Sequence, residues 1–368
     1  MTRKKGVPHP NPDQSKFENP MQLGGIRTGA LDNGVRVAWV DTGSGLRFLI
    51  ALDRGGDIVD ASFNQYGLCY LTPNGIKPAS PAYNTEFEWL RSWPGGLLTT
   101  CGPETIGGPR PATGGMSGLH GRHSNTPATI ESVINPDPRT GQMDMILRLI
   151  VRDSRMFGPT YEIRREIRCL LGSSEIHIED TVTNCGGEKA AHHWLYHCNL
   201  GYPLLDEGAR FIYGGRSQSW ELPAPADGSI LTQLGEKKIN SLKRVSGPLP
   251  EHQGAGERGL LVDVDQDRRG NCHIGLINPK IKLGVEFEYP AADLPRMANW
   301  QHYDKGCYAT ALEPFYGSLL GKPHDKSRLT GATLAAGKSR KYHLTIRVHS
   351  GSGALKEFAK HDGPVTNA

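Results

Sequence analysis

Hydrophobic and polar residues alternate with a period of two along most of this chain. Ile281, Leu283, Val285, Phe287 and Tyr289 fall on one side of such a run, with Lys282, Glu286 and Glu288 on the other. Successive side chains of a strand point to opposite faces, so this is the pattern of a half-buried antiparallel strand. Tyr342, Leu344, Ile346 and Val348 repeat it. The same reading predicts strands from Val35 to Val40, Leu46 to Leu52, Met143 to Val151, Tyr161 to Cys169, Glu175 to Val182 and Leu260 to Val264. Turn-forming clusters separate them, among them Asp32-Asn33-Gly34, Pro136-Asp137-Pro138 and Asn184-Cys185-Gly186-Gly187.

Helical signal is thin. Short turns of helix are predicted over Glu86 to Trp93 and Gly353 to Lys360, and nothing keeps a 3.6-residue period over three turns. This argues against βαβ units, and the absence of an internal repeat argues against a propeller or solenoid. The expected fold class is all-β, a large antiparallel two-sheet sandwich over residues 24–350, after a flexible leader (1–23) and before a tail (351–368). Two stretches break the alternation. Thr72 to Pro127 is rich in Gly, Pro, Trp and His, a loop excursion of the size that usually carries function, and Pro223 to Gly256 is a second polar, loop-rich stretch.

Composition narrows the class. Among 368 residues, 46 glycines and 26 prolines spread along the chain suit many short strands joined by tight turns. The net charge is only +4, with part of it in the Arg3-Lys4-Lys5 leader, and no basic stripe interleaved with aromatics follows, so nucleic acid is not an expected partner. Seven cysteines in no C-x-x-C spacing fit reduced thiols rather than a disulfide frame or zinc knuckle. No apolar export segment and no run of about 18 apolar residues is present, so the expectation is a cytoplasmic protein without a membrane partner. Self-association is left open.

Several familiar motifs fail. Gly331 to Ser339 resembles a phosphate-binding loop but has five residues between its glycines and precedes a strand. No G-x-S-x-G or H-E-x-x-H occurs. Histidines invite a metal reading, yet His193 and His197 on one strand would stand roughly 13 Å apart at ~3.3 Å per residue, too far for one ion. A site combining His120, His123, one later histidine and a carboxylate stays open.

Three segments carry the candidate chemistry: Gly118 to Asn125 around His120, Tyr196 to Asp206 around His197, and Tyr308 to Gly317 around Glu313. Singly, each has a bland reading as a hydrogen-bonded histidine or a solvated strand-end acid. Together, Leu119-His120-Gly121, His197-Cys198-Asn199-Leu200 and Leu312-Glu313-Pro314 resemble, in kind and order, segments of the aldose-1-epimerase-like proteins of the galactose mutarotase superfamily, over roughly Gly34 to Val348. The Trp93 to Gly102 segment and the HGRH loop resemble a poorly characterised branch rather than standard galactose mutarotases.

The resemblance implies a sandwich that binds a small carbohydrate and needs no cofactor, with Glu313 as general base, His197 as general acid and His120 holding the ring oxygen or a neighbouring hydroxyl. Histidine titrates near neutrality and a positioned carboxylate is an adequate base. Arg91, Arg122, His123 and Asn199 are expected to contact the sugar, and Trp89, Trp93 or Trp300 to stack on it. Two other readings stay open: an epimerase, isomerase or lyase acting on a keto-sugar or sugar acid with metal assistance through His120 and His123, and a carbohydrate-binding protein without catalysis.

Overall fold

The computed structural model describes residues 12–112, 115–222, 234–321 and 328–367. Every strand predicted from alternation is present, most of them extended by a residue or more; the Tyr161 to Cys169 run, for example, is Thr160–Leu170. Two large sheets dominate. The first orders its eight strands Ala128–Ile134, Asp144–Ser154, Thr160–Leu170, Glu175–Asn184, Ser339–Ser350, Leu283–Pro290, Asn271–Asn278 and Arg210–Ile212. The second orders seven: Val365–Asn367, Gly215–Leu222, Glu257–Val264, Arg296–Asp304, Cys307–Tyr316, Trp194–Gly201 and Thr99–Cys101. Five successive strands from Gly25–Ala30 to Tyr66–Gly67 add an N-terminal sheet. Residues of all three sheets, such as Phe48, Ile163 and Leu312, share one apolar core.

The segments outside the alternation are shorter in helix than expected, or more ordered. Glu86 to Trp93 yields one 3-10 turn, Glu88–Arg91. Beyond residue 350, the chain forms the α-helix Ser352–Phe358, which buries Leu355 and Phe358, and then the strand Val365–Asn367, which pairs in parallel with Gly215–Leu222. That end of the chain therefore belongs to the seven-stranded sheet and is no loose tail. Of the Pro223 to Gly256 stretch, residues 223–233 lie outside the described residues, and the remainder holds the helix Glu236–Ser241 and a 3-10 turn, Pro250–His252. Of the leader, residues 1–11 lie outside the described residues, while Gln14 and Glu18 contact Pro138 and Arg139. Among the described residues no helix is long and apolar enough to cross a membrane.

Register in the seven-stranded sheet positions the site. Directly paired residues share a face. Glu313 pairs with Ala298, Ala311 with Trp300 and with Asn199, Ala309 with His302, Cys307 with Asp304, and His197 with Thr99. All of these therefore project from one face. Cys198, Leu200, Leu260, Met297 and Leu312 project from the other, into the main core. Small residues, Ala298, Ala309 and Ala311, occupy the centre of the first face, so the larger polar and aromatic groups meet above them.

Candidate active site

Three stretches distant in sequence converge on that face. His197 Nε2 lies 3.5 Å from Glu313 Oε1, and the His120 ring stands perpendicular to the His197 ring with centroids 5.3 Å apart. Trp93 and Trp300 meet His197 edge-on at 5.5 and 6.1 Å. Only 9% of His120, 5% of His197 and 3% of Glu313 is exposed, so the cluster is almost wholly buried.

Each group is held by its own local structure. His197 sits on Trp194–Gly201, a strand buried on both faces. Its Nδ1 bonds to the Asn199 side-chain oxygen, while Asn199 Nδ2 donates to the His197 carbonyl at 3.0 Å. The amide orientation is thereby set, Nδ1 carries the hydrogen, and Nε2 faces Glu313. His120 adopts a left-handed backbone (φ 61°), uncommon outside glycine, and is pinned by Gly102 N–H donating to its carbonyl at 3.0 Å and its own N–H donating to Gly107 O at 2.8 Å. Its Nδ1 accepts from Gly107 N–H at 3.4 Å, which leaves Nε2 as the hydrogen-bearing atom. The next residue, Gly121 (φ 76°), has no room for a Cβ, which would lie 2.5 Å from Thr105 O.

Burial sets the proton inventory. It pushes His197 down to about 4 against the opposing Asn199 bond, and His120 well below the ordinary histidine range, with the neighbouring His197 and Arg110 adding to the effect. It raises Glu313 well above the ordinary carboxylate range, and the charge of Glu257 adds to the shift. In a dry environment a pair of this kind holds one shared proton, on Glu313, with the His197 Nε2 lone pair as acceptor. Glu257 was missed by sequence reasoning because the predicted strand began at Leu260, whereas Glu257 opens it. Its carboxylate accepts from Trp300 Nε1 at 2.6 Å.

The structure does not bring every expected residue to this cluster. Arg91 is exposed and pairs with Glu88 at 3.2 Å. Arg122 pairs with Asp153 at 2.9 Å and Glu104 at 3.8 Å, so its charge is already matched. His123 is fully buried, bonds through Nε2 to Gly55 O at 3.1 Å and packs on Trp194; it is a core residue, separated in role from His120. Trp89 is 1% exposed, donates to Ser124 at 2.9 Å and stacks behind Trp93, so it supports the site without offering a face to a sugar. Asn199 orients His197 instead of facing a ligand. His192 and His193 are structural, bonded to Tyr342 and to Ser318 N–H. Among the described residues the one group of three donors close enough to share an ion, His273, Glu286 and His361, lies away from this face and includes neither His120 nor His123. A recess of about 340 Å³ elsewhere is lined by Arg210, Lys243, Arg244 and Asp362, and Asp362 pairs with both Arg210 and Lys243.

The all-β sandwich is of the galactose mutarotase-like fold. The chain belongs to the family described as a domain of unknown function, DUF4432, whose sequence model matches residues 32–348. No curated protein matches it in sequence. Among solved structures, it is similar to a provisionally assigned aldose 1-epimerase of Klebsiella pneumoniae, with a TM-score of 0.79 at 20% identity over 93% of this chain and 89% of that one. A galactose mutarotase-like protein of Clostridium acetobutylicum aligns with a TM-score of 0.65 at 13% identity, over 90% and 100% of the two chains. A further provisional aldose 1-epimerase, from Escherichia coli, gives 0.57 at 14% identity, over 89% and 100%. At these identities the likeness concerns the fold.

Proposed function

We propose that this protein is a carbohydrate isomerase of the aldose 1-epimerase type, opening and reclosing the cyclic hemiacetal of a small sugar by acid and base catalysis. The observation that carries the reading is the 3.5 Å approach of His197 Nε2 to Glu313 Oε1 on a face floored by alanines. The two oxygens whose protons must move, the anomeric hydroxyl and the ring oxygen, are bonded to the same carbon. Acid and base must therefore be neighbours, as these two are. With Glu313 as base and His197 as acid, the closed sugar meets the ion-paired form of the pair, and ring opening leaves the neutral form that burial favours. Closing on the other carbonyl face reverses both transfers, Glu313 giving its proton to the carbonyl oxygen while His197 takes one from the attacking hydroxyl. His120, whose Nε2 hydrogen is free for donation, holds the ring oxygen or an adjacent hydroxyl. Trp93 and Trp300 flank the sugar, and Glu257 accepts from its hydroxyls.

The test is anomer exchange measured by NMR against neutral aldoses, uronates and keto-sugars. Faster exchange of at least one sugar is expected, together with a loss of about 10²- to 10⁴-fold in Glu313→Gln, the usual contribution of one positioned acid or base. Sugar binding with no acceleration would replace this reading by that of a binding protein.

A further inference from the structure

Two strand glycines let the end of the chain lie on the face of the eight-stranded sheet turned from the main core. A Cβ on Gly275 would stand 2.7 Å from the Phe358 ring, and one on Gly284 would stand 2.9 Å from a Leu355 methyl. The helix Ser352–Phe358 therefore packs against Ile277 on that face, and the 3-10 turn Ala359–His361 carries His361 onto His273. Their rings stack with centroids 3.9 Å apart and 22° between planes.

Register brings a carboxylate to the same place. Glu286 pairs with Gly275 and with Arg347, His273 with Glu288, and Gly284 with His349, so all of these project from one face. His273 Nδ1 lies 2.7 Å from Glu286 Oε1, and its Nε2 lies 3.4 Å from Asp267 Oδ2. The other Glu286 oxygen accepts from His349 Nε2 at 2.6 Å and from Arg347 at 3.0 Å. These bonds account for Glu286 and His273 as a structural network. They do not account for His361, an exposed ring set face to face with another imidazole, neither of whose nitrogens is hydrogen-bonded among the described residues. One donor atom from each of His273, Glu286 and His361 lies within 4.8 Å of the other two.

We propose that His273, Glu286 and His361 form a binding site for one zinc ion, which ties the end of the chain to the eight-stranded sheet. Two imidazoles and a carboxylate are a donor set that zinc takes, with water in the fourth position on the exposed side. Ligands at about 2.1 Å in a tetrahedron stand roughly 3.4 Å apart, so the triad contracts by about 1 Å, a movement left to His361 on its exposed turn. The ion displaces the proton shared by His273 Nδ1 and Glu286 Oε1, which leaves to water. His273 Nε2–H then donates to Asp267, while His349 and Arg347 hold the carboxylate, the outer support that fixes metal ligands in orientation. The site stands apart from His197 and Glu313 and takes no part in their chemistry.

The experiment is calorimetric titration of zinc chloride into the full-length protein, freed of metal with EDTA and dialysed. One equivalent is expected to bind per chain. Loss of an outer partner alone costs metal sites about 10- to 100-fold, so His361→Gln is expected to weaken binding by at least about tenfold, and Asp267→Asn by a smaller factor. His177→Gln, an exposed histidine 3.5 Å from Glu175 on the same sheet, leaves the affinity unchanged. In thermal melts zinc raises the midpoint of the parent and not that of His361→Gln, since an ion held only by the folded state stabilises it. A melt of His361→Gln in EDTA that matches the parent reports correct folding, and if it does not match, Asp267→Asn decides. No equivalent bound by the parent, an affinity unchanged in the deciding variant, or an equal loss in His177→Gln overturns the proposal. Anomer exchange is not measured, so failure of the epimerase reading leaves the zinc site standing.

Discussion

Asn199 accepts the Nδ1 hydrogen of His197, and this fixes Nε2 as the ring atom that meets Glu313. The amide thus selects a tautomer two residues along its own strand. Replacing the amide oxygen by a carboxylate, in Asn199→Asp, places a negative charge beside Nδ1–H and favours the imidazolium. The His197 ring, which burial pushes down to about 4 in the parent, is expected to titrate at least one pH unit higher in the variant, as read by NMR of the ring nitrogens. An unmoved midpoint would show that Asn199 does not control this histidine.

His123 supplies a second test through pH. Burial lowers it to about 3, its Nε2 hydrogen goes to Gly55 O, and its Nδ1 has no partner. A histidine whose folded pKa is depressed stabilises fully above its unfolded value of about 6.5, and that contribution is lost as pH falls toward the folded value. Between pH 6.5 and 5 the loss is about 2 kcal/mol, at about 1.4 kcal/mol per pH unit. In urea unfolding, the stability gap between the parent and His123→Gln should be smaller at pH 5 than at pH 7 by about that amount. Equal gaps at the two pH values would contradict a neutral, buried His123.

Arg165 ties the three sheets together beneath the site. It is fully buried, contacts Asp57 at 3.1 Å and Asp180 at 2.7 Å, and donates to Thr100 Oγ1 at 2.7 Å, one residue from the Thr99 that pairs with His197. Asp57 is pushed up to about 6 by burial in spite of this partner, so it depends on the cation to remain charged near neutrality. Arg165→Met leaves two buried acids without a counter-charge, and a loss of about 3–5 kcal/mol is expected. Adding Asp180→Asn should recover part of it. Denaturant unfolding of the three proteins measures both effects, and a single variant as stable as the parent would remove the clamp from the account.

The His120 loop depends on a backbone that tolerates no side chain at the following position. Gly121→Ala adds a Cβ 2.5 Å from Thr105 O and 2.7 Å from Gly102 O at positive φ. The expected cost is about 1–3 kcal/mol or more, with a fall in anomer exchange, although no group facing a sugar is altered. Gly141→Ala is the control, since Gly141 has a similar φ of 80° and nothing within 4 Å. A thermal melt that cannot tell the two variants apart would mean that the close approach at Gly121 is unimportant.

The strands were legible because the signal for them is local. Where one face of a strand is covered and the other is wet, as along Thr160–Leu170 with its buried Tyr161, Ile163, Arg165 and Ile167, residue chemistry alternates with geometry. The Trp194–Gly201 strand shows the limit, for both faces are buried and its sequence has no alternation from which to assign His197 a side. Loop residues were harder still. Arg91, Arg122 and His123 have the right chemistry in the right stretch, but a loop has no period from which to read direction, and their partners Glu88, Asp153 and Gly55 take them elsewhere.

From the sequence alone came the all-β character, the course of the main strands, and the presence of His120, His197 and Glu313 as titratable groups in three separate segments. The tertiary structure decided that His197 and Glu313 share a sheet face over which the His120 loop packs, that Asn199 bonds to His197 while Trp89 stacks behind Trp93, and that Glu257 adds its charge beside Glu313. The physical reason is that side-chain direction within a strand follows from its own backbone, whereas the neighbours across a sheet are fixed by pairing register between residues far apart in the chain.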